Sequence, residues 1–171
     1  VKSCIFWGNH GNTGATLLSQ FSGPGSPINY SCVQGWTSGG IGNISSNPAF
    51  VDADGQDNIV GTADDDLRVV AGSPVINTGD PLLAPAANGL ADRTGYPRVL
   101  CGRVDMGAYE FGIYDFNCDN VMDNNDYAAW SDCIGGPNAV ILNLSCVSLD
   151  ADADGSVTLR DFADFQNALG Q

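Results

Sequence analysis

Oxygen-bearing side chains at alternate positions of a short loop enclose a hard cation, and this sequence makes such a loop twice. Asp115, Asn117, Asp119, Asp123 and Asp126 occupy positions one, three, five, nine and twelve of the run 115–126. Thirty-five residues later, Asp150, Asp152, Asp154, Thr158 and Asp161 occupy the same positions of the run 150–161. The backbone carbonyls of Val121 and Ser156 would serve at position seven. Position six needs a sharp turn with positive φ, which Gly155 supplies in the second loop and Asn120 in the first. The last ligand in each loop is Asp where a long calcium loop has Glu, so each loop must tighten onto the segment after it. The chemistry implied is calcium binding at two sites. An empty loop crowds carboxylates with nothing between them, so folding of this region is expected to depend on the ion.

Those loops must be positioned by the segments on their C-terminal sides. Each runs into an apolar-spaced segment, Tyr127-Ala-Ala-Trp130 in one and Phe162-Ala-Asp-Phe165 in the other, and both read as exiting helices. A second acidic stretch lies upstream, with Asp52, Asp54, Asp57, Asp64 and Asp66 (and Asp65 between the last two) inside fifteen residues. So many carboxylates repel one another unless neutralised. A third calcium site is one answer, and a hydrated loop screened by salt is the other.

The duplicated loop with only its exiting helix resembles the type I dockerin family, over about residues 114–171. That resemblance implies calcium binding and docking of a cohesin-like partner at the loop-to-helix junctions, which here are Asn124 and Asn125 in the first repeat and Leu159 and Arg160 in the second. The connector departs from the pattern, with Cys133, Gly135-Gly-Pro137 and Cys146. The two junction pairs also differ from each other, which weakens a symmetric docking mode.

Residues 1–112 lack helical periodicity. Short apolar runs at 4–7, 16–18, 28–30, 32–33 and 67–70 are separated by Gly, Asn, Ser and Pro, as many short strands with tight turns would be. Ser3-Cys4-Ile5 and Ser31-Cys32-Val33 match at an offset of 28, close to one coil of a parallel β-solenoid, in which Asn9, Asn29 and Asn43 would sit in turn ladders. A β-sandwich tolerates the same composition. The runs 4–9, 28–35, 42–44 and 47–52 resemble the last coils of bacterial right-handed β-helix surface proteins. Leu67-Arg68, Ser73–Asn77, Gly79-Asp80, Pro97-Arg98 and Val104–Phe111 resemble their closing segment. The combination is similar to secreted proteins of planctomycete-type bacteria. The expected fold is thus mainly β: a short right-handed parallel β-helix over 1–112, joined to a small α-helical, dockerin-like domain with two EF-hand-like calcium loops over 113–171.

Six cysteines point to an oxidising, extracellular or cell-surface setting. Cys133 and Cys146 bracket the connector, and a bridge closing about 14 residues would stabilise by ~3 kcal/mol. In a solenoid Cys4 and Cys32 would stack in adjacent coils, either bridged or as buried thiols. Cys101 and Cys118 remain, and would tie the two regions across the joint at Gly112-Ile-Tyr114. Spacing does not fix these pairings. Tyr109, Phe111, Tyr114 and Phe116 are expected near that joint, chiefly as ordinary core. Three Asn-x-Ser sequons stand at Asn29, Asn43 and Asn143.

Acidic residues outnumber basic ones 20 to 6, for a net charge of −14. That excludes the basic patches nucleic acid and anionic membranes require. No apolar run approaches the about 18 residues of a membrane helix. The opening Val1-Lys-Ser-Cys reads as the interior of a pattern, so a mature fragment or the tail of a longer precursor is expected.

Catalysis finds little support. A hydrolase could draw on Asp64-Asp-Asp66, but the few bases (Lys2, Arg68, Arg93, Arg98, Arg103, Arg160) fall mostly in the closing segment, and His10 has no nucleophile beside it. The expectation is a non-catalytic, calcium-binding structural protein that assembles at the cell surface or head to tail with itself. A dockerin-type anchor for a larger secreted protein, with a cohesin-like partner, is the alternative. A remnant of a β-helical polysaccharide-degrading enzyme is the third reading.

Overall fold

The computed structural model describes residues 1–9, 27–37, 39–83, 91–95, 98–112, 114–141, 146, 149–152 and 154–169. The expected strand at 16–18, His10, Pro97, Ile113 and the Asn143 sequon lie outside them. Among the described residues there are four strands: β1 (Ile5–Phe6), β2 (Cys32–Val33), β3 (Phe50–Asp52) and β4 (Asp66–Val69). A 3-10 turn, Asp126–Ala129, continues into α1 (Trp130–Cys133), and α2 (Leu159–Leu169) is the last element.

This overturns the expected β-helix with dockerin helices. The strands make two separate two-stranded sheets rather than a solenoid, β1 with β2 parallel and β3 with β4 antiparallel. Single parallel bridges join Lys2 to Asn29 and Cys32 to Ile44, so among the described residues stacking of parallel segments is confined to this corner. It stops where the chain reverses through the acidic loop and β4 returns along β3, because a hairpin sends the next strand back instead of around a coil. The helical side departs too. After the first loop there is one 3-10 turn and one α-turn, since Gly135, Gly136 and Pro137 come at once.

The parallel pairing also corrects the register. Ile5 faces Cys32 and Phe6 faces Val33, an offset of 27 and not 28. A one-residue slip moves a side chain to the opposite face of a strand. Cys4 and Cys32 therefore point to different faces and remain free thiols. Cys32 is fully buried, and burial pushes its thiol up to about 11, so it behaves as an inert core residue. The Cys4 backbone N–H is satisfied by the Ser31 hydroxyl at 3.2 Å.

Among the described residues, two separate apolar clusters form the core. Cys32, Val75 and Met106 form one, flanked by Ile5, Trp7, Ile44 and Val69. Tyr114, Trp130, Cys146, Leu149, Val157 and Phe165 form the other, flanked by Phe116, Cys133, Ile141, Ala151 and Phe162. Tyr114 and Phe116 thus belong to the second core, where Tyr114 meets Phe165 at 5.7 Å and Phe116 meets Trp130 at 5.8 Å between ring centroids. Helix α2 contributes by spacing: Phe162 and Phe165 are one turn apart and face Trp130 at 5.1 and 5.7 Å.

The described residues of the segment 73–111 close the first region around buried carboxyl groups. The exposed Lys2 ammonium reaches buried Asp80 at 2.6 Å, and this hydrogen bond, with that from the Leu82 N–H, holds Asp80 below the usual carboxylate range. Arg98 reaches Glu110 at 3.1 Å in a buried pair. Asp105 accepts from the backbone N–H of Asn77 and of Phe111, each at 2.6 Å, while its own N–H donates to Glu110 at 3.0 Å. Burial, partly offset by backbone donors and Arg98, pushes Asp105 up to about 6. Burial and the adjacent Asp105 push Glu110 up to about 9. Gly79 sits where a Cβ would meet the Val104 side chain and carbonyl and the Ser3 hydroxyl, so the tight turn needs glycine.

Candidate metal centre

The two acidic loops have the same hydrogen-bond plan, position for position. At position one, Asp115 accepts from the N–H of Asp119 at 3.0 Å and of Asn120 at 2.8 Å. Asp150 accepts from Asp154 at 3.0 Å and Gly155 at 2.9 Å. At position twelve, Asp126 accepts from Phe116, Asn117 and Asp123 at 2.8, 3.2 and 2.8 Å. Asp161 accepts from Ala151, Asp152 and Thr158 at 2.9, 3.4 and 2.8 Å. At position five, Asp119 and Asp154 accept from Val121 and Ser156 at 2.8 and 2.9 Å. Position six is left-handed in both loops, Asn120 at φ 66° and Gly155 at φ 89°.

Local chemistry explains why these loops close onto their helices. Thr158 caps α2, its hydroxyl accepting from the Arg160 N–H at 3.1 Å, and Asp161 three residues on reaches back to the Thr158 N–H. That is a capping box with Asp in place of Glu. The same reciprocal bonds recur in the first loop, where Asp123 accepts from the Asn125 N–H at 2.7 Å and Asp126 from the Asp123 N–H at 2.8 Å, but the 3-10 turn itself begins at Asp126 without a side-chain cap. In the second loop the ninth and twelfth residues therefore serve loop and helix together. The short Asp at position twelve fits because the reciprocal bonds draw it in.

In the second loop three carboxylates come close enough together to hold a cation. Oxygens of Asp150, Asp152 and Asp154 lie within 4.8 Å of one another. In the first loop Asn117 replaces the equivalent acid, and its amide donates to Asp119 at 2.9 Å. Burial holds Asp115 and Asp150 above the usual carboxylate range despite their backbone donors, and Asp126 and Asp119, or Asp161 and Asp154, add repulsion. Each loop carries four carboxylates. A divalent oxygen-seeking ion would relieve both crowdings, and the hard donor set excludes a soft metal.

Other candidate residues are placed differently. Of Asp52, Asp54, Asp57, Asp64 and Asp66, Asp57 and Asp64 come together, and the third member of their group is Asp65. The Thr62 hydroxyl lies 3.4, 2.6 and 3.3 Å from their respective oxygens. Asp66 lies in β4 opposite Asp52 of β3, and its carboxylate holds Arg68 through Nε at 2.9 Å. The five do not form one ligand set. Asn124, Asn125 and Leu159 are exposed, Leu159 to 72%. Arg160 folds back to Asp152 at 3.1 Å.

Disulfides join Cys133 to Cys146 and Cys101 to Cys118. The second bridge anchors position four of the first loop. No helix among the described residues is long and apolar enough to cross a membrane, and two disulfides fit an oxidising compartment. Sequence reasoning missed the buried Asp105–Glu110–Arg98 group. Its one signal was two isolated acids inside the apolar run 104–111. Compared with protein-family models, curated proteins and solved structures, the chain matches none of them.

Proposed function

We propose that this chain is a non-catalytic, extracellular structural module whose C-terminal region folds around two calcium ions. The repetition of one hydrogen-bond plan in two loops 35 residues apart carries this reading, together with the oxygens of positions one, three and five of the second loop, which lie within 4.8 Å of one another. Asp115, Asn117, Asp119, Asp123, Asp126 and the carbonyl of Val121 would hold one ion. Asp150, Asp152, Asp154, Thr158, Asp161 and the carbonyl of Ser156 would hold the other. The ions supply charge neutralisation and fix each loop onto its helix start. The closing segment supports a structural role, since Arg98 is committed to Glu110 and Arg103 to the carbonyls of Gly79 and Thr78 at 2.7 and 3.0 Å. Neither is available as a base toward a substrate.

A second reading, an anchor for a cohesin-like surface partner, is favoured by the exposure of Leu159, Asn124 and Asn125. Thermal unfolding with calcium and with chelator tests the first reading. The expected result is a higher melting temperature with calcium, and identical curves would end it. Light scattering under both conditions separates self-assembly, seen as calcium-dependent polymers, from docking of a foreign partner by a monomer.

A further inference from the structure

The two loops share a hydrogen-bond plan and carry four carboxylates each, yet they are not held alike. Cys118 stands at position four of the first loop and is bonded to Cys101 in the closing segment of the other region. The Cys101 sulfur lies 3.7 Å from the carbonyl of Asp115, the position-one residue. Cys101 sits in a fixed turn. Leu100 and Arg103 pair across it, and the Arg103 guanidinium donates to the carbonyls of Gly79 and Thr78. With its amide oriented to satisfy both, Asn77 donates to the carbonyls of Leu100 and Arg103 at 3.2 and 3.1 Å. The bridge thus runs from a braced turn directly into a candidate ligand loop.

Backbone conformation gives the bridge a purpose. The first loop holds two left-handed residues that are not glycine, Cys118 at φ 61° and Asn120 at φ 66°. Such conformations cost of order 1–3 kcal/mol each and persist only where the surroundings enforce them. The second loop has glycine at position six. A covalent tie at Cys118 removes much of the freedom the first loop would have to lose on binding an ion.

We infer that the Cys101–Cys118 disulfide preorganises the first calcium loop and makes it a joint between the two regions, so that calcium affinity there depends on the bridge while the second loop is indifferent to it. This rests on the proposed calcium binding. Coupling is reciprocal: if the bridge tightens calcium binding, calcium must favour the bridge over the two thiols by the same factor.

Two measurements test this. Calcium titration by calorimetry compares the native chain with the double variant Cys101→Ser/Cys118→Ser. The expected result is one site weakened about tenfold, within the ordinary range of coupling between sites, and one site unchanged. In the Asp161→Asn background, which disables the second loop, the weakened site should be the one that remains. Two unchanged sites in the double variant would overturn the inference and leave the calcium reading standing. An absence of binding in the native chain would overturn both. The second measurement needs no variant. Equilibration with dithiothreitol converts the bridge to two cysteine thiols and the reagent to its cyclic disulfide. Saturating calcium should lower the reduction potential of Cys101–Cys118 by ~30 mV for a tenfold coupling. A potential independent of calcium refutes the inference even if the serine variant misfolds.

Discussion

Replacing Asp161 separates two roles of the second loop, because its carboxylate both organises the loop and would bind the ion. It is fully buried and accepts from the N–H groups of Ala151 and Thr158 at 2.9 and 2.8 Å, and from the Thr158 hydroxyl at 3.1 Å. A buried donor left without an acceptor costs about 1–3 kcal/mol. Counting the two short backbone bonds, and letting water reach the rest, Asp161→Ala should lose about 2–4 kcal/mol in chelator. Asp161→Asn keeps one acceptor and should lose about half of that. Calcium adds a separate amount: an ion at a hundred times its dissociation constant stabilises by about 2.7 kcal/mol per site, and both variants should forfeit one site's share. Urea unfolding followed by tryptophan fluorescence reads this, since Trp130 packs on Phe162 and Phe165 of α2. An alanine variant as stable as the parent in chelator would refute the hydrogen-bond account. An unchanged calcium increment in both variants would refute Asp161 as a ligand.

Stability of the closing segment should fall as pH rises. Burial raises Asp105 from 3.8 to about 6 and Glu110 from 4.5 to about 9, so the folded chain holds these protons more tightly than the unfolded one. Their contribution is complete below pH about 4 and is lost as pH rises through about 6 and then about 9. Asp64, Asp66 and Asp80 are lowered, so their opposite contribution is lost only in more acidic solution. Urea midpoints between pH 5 and 9 with saturating calcium should therefore decline, and a rising midpoint contradicts the buried-acid account. Removing the Cys133–Cys146 bridge by serine at both positions, which frees a separation of 13 residues, should cost about 3 kcal/mol in the same assay. A change under about 0.5 kcal/mol would show that the connector is held by its other contacts.

Legibility from sequence divides by range. The loop spacing was legible because the acceptors at Asp115, Asp126, Asp150 and Asp161 find their donors within three to ten residues. Position six was legible for the same reason, Asn120 and Gly155 both turning left-handed. The solenoid misled because a two-residue echo between Ser3-Cys4 and Ser31-Cys32 does not fix a register. The actual pairing puts Ile5 on Cys32, and the antiparallel return of β4 depends on contacts across the acidic loop. The short first helical segment was hidden by the apolar spacing of Tyr127 and Trp130, which the Gly135-Gly-Pro137 stop overrides. Nothing in the spacing of Arg98, Asp105 and Glu110 joins them, and only the tertiary packing of the closing segment brings them together.

The most direct test of the central claim is the number of calcium ions bound per chain, by calorimetry on the native protein and on variants with Asp126→Ala, Asp161→Ala or both. Two ions for the native chain, one for each single variant and none for the double variant is the predicted series. A native chain that binds no calcium, or a double variant that still binds two, would contradict it.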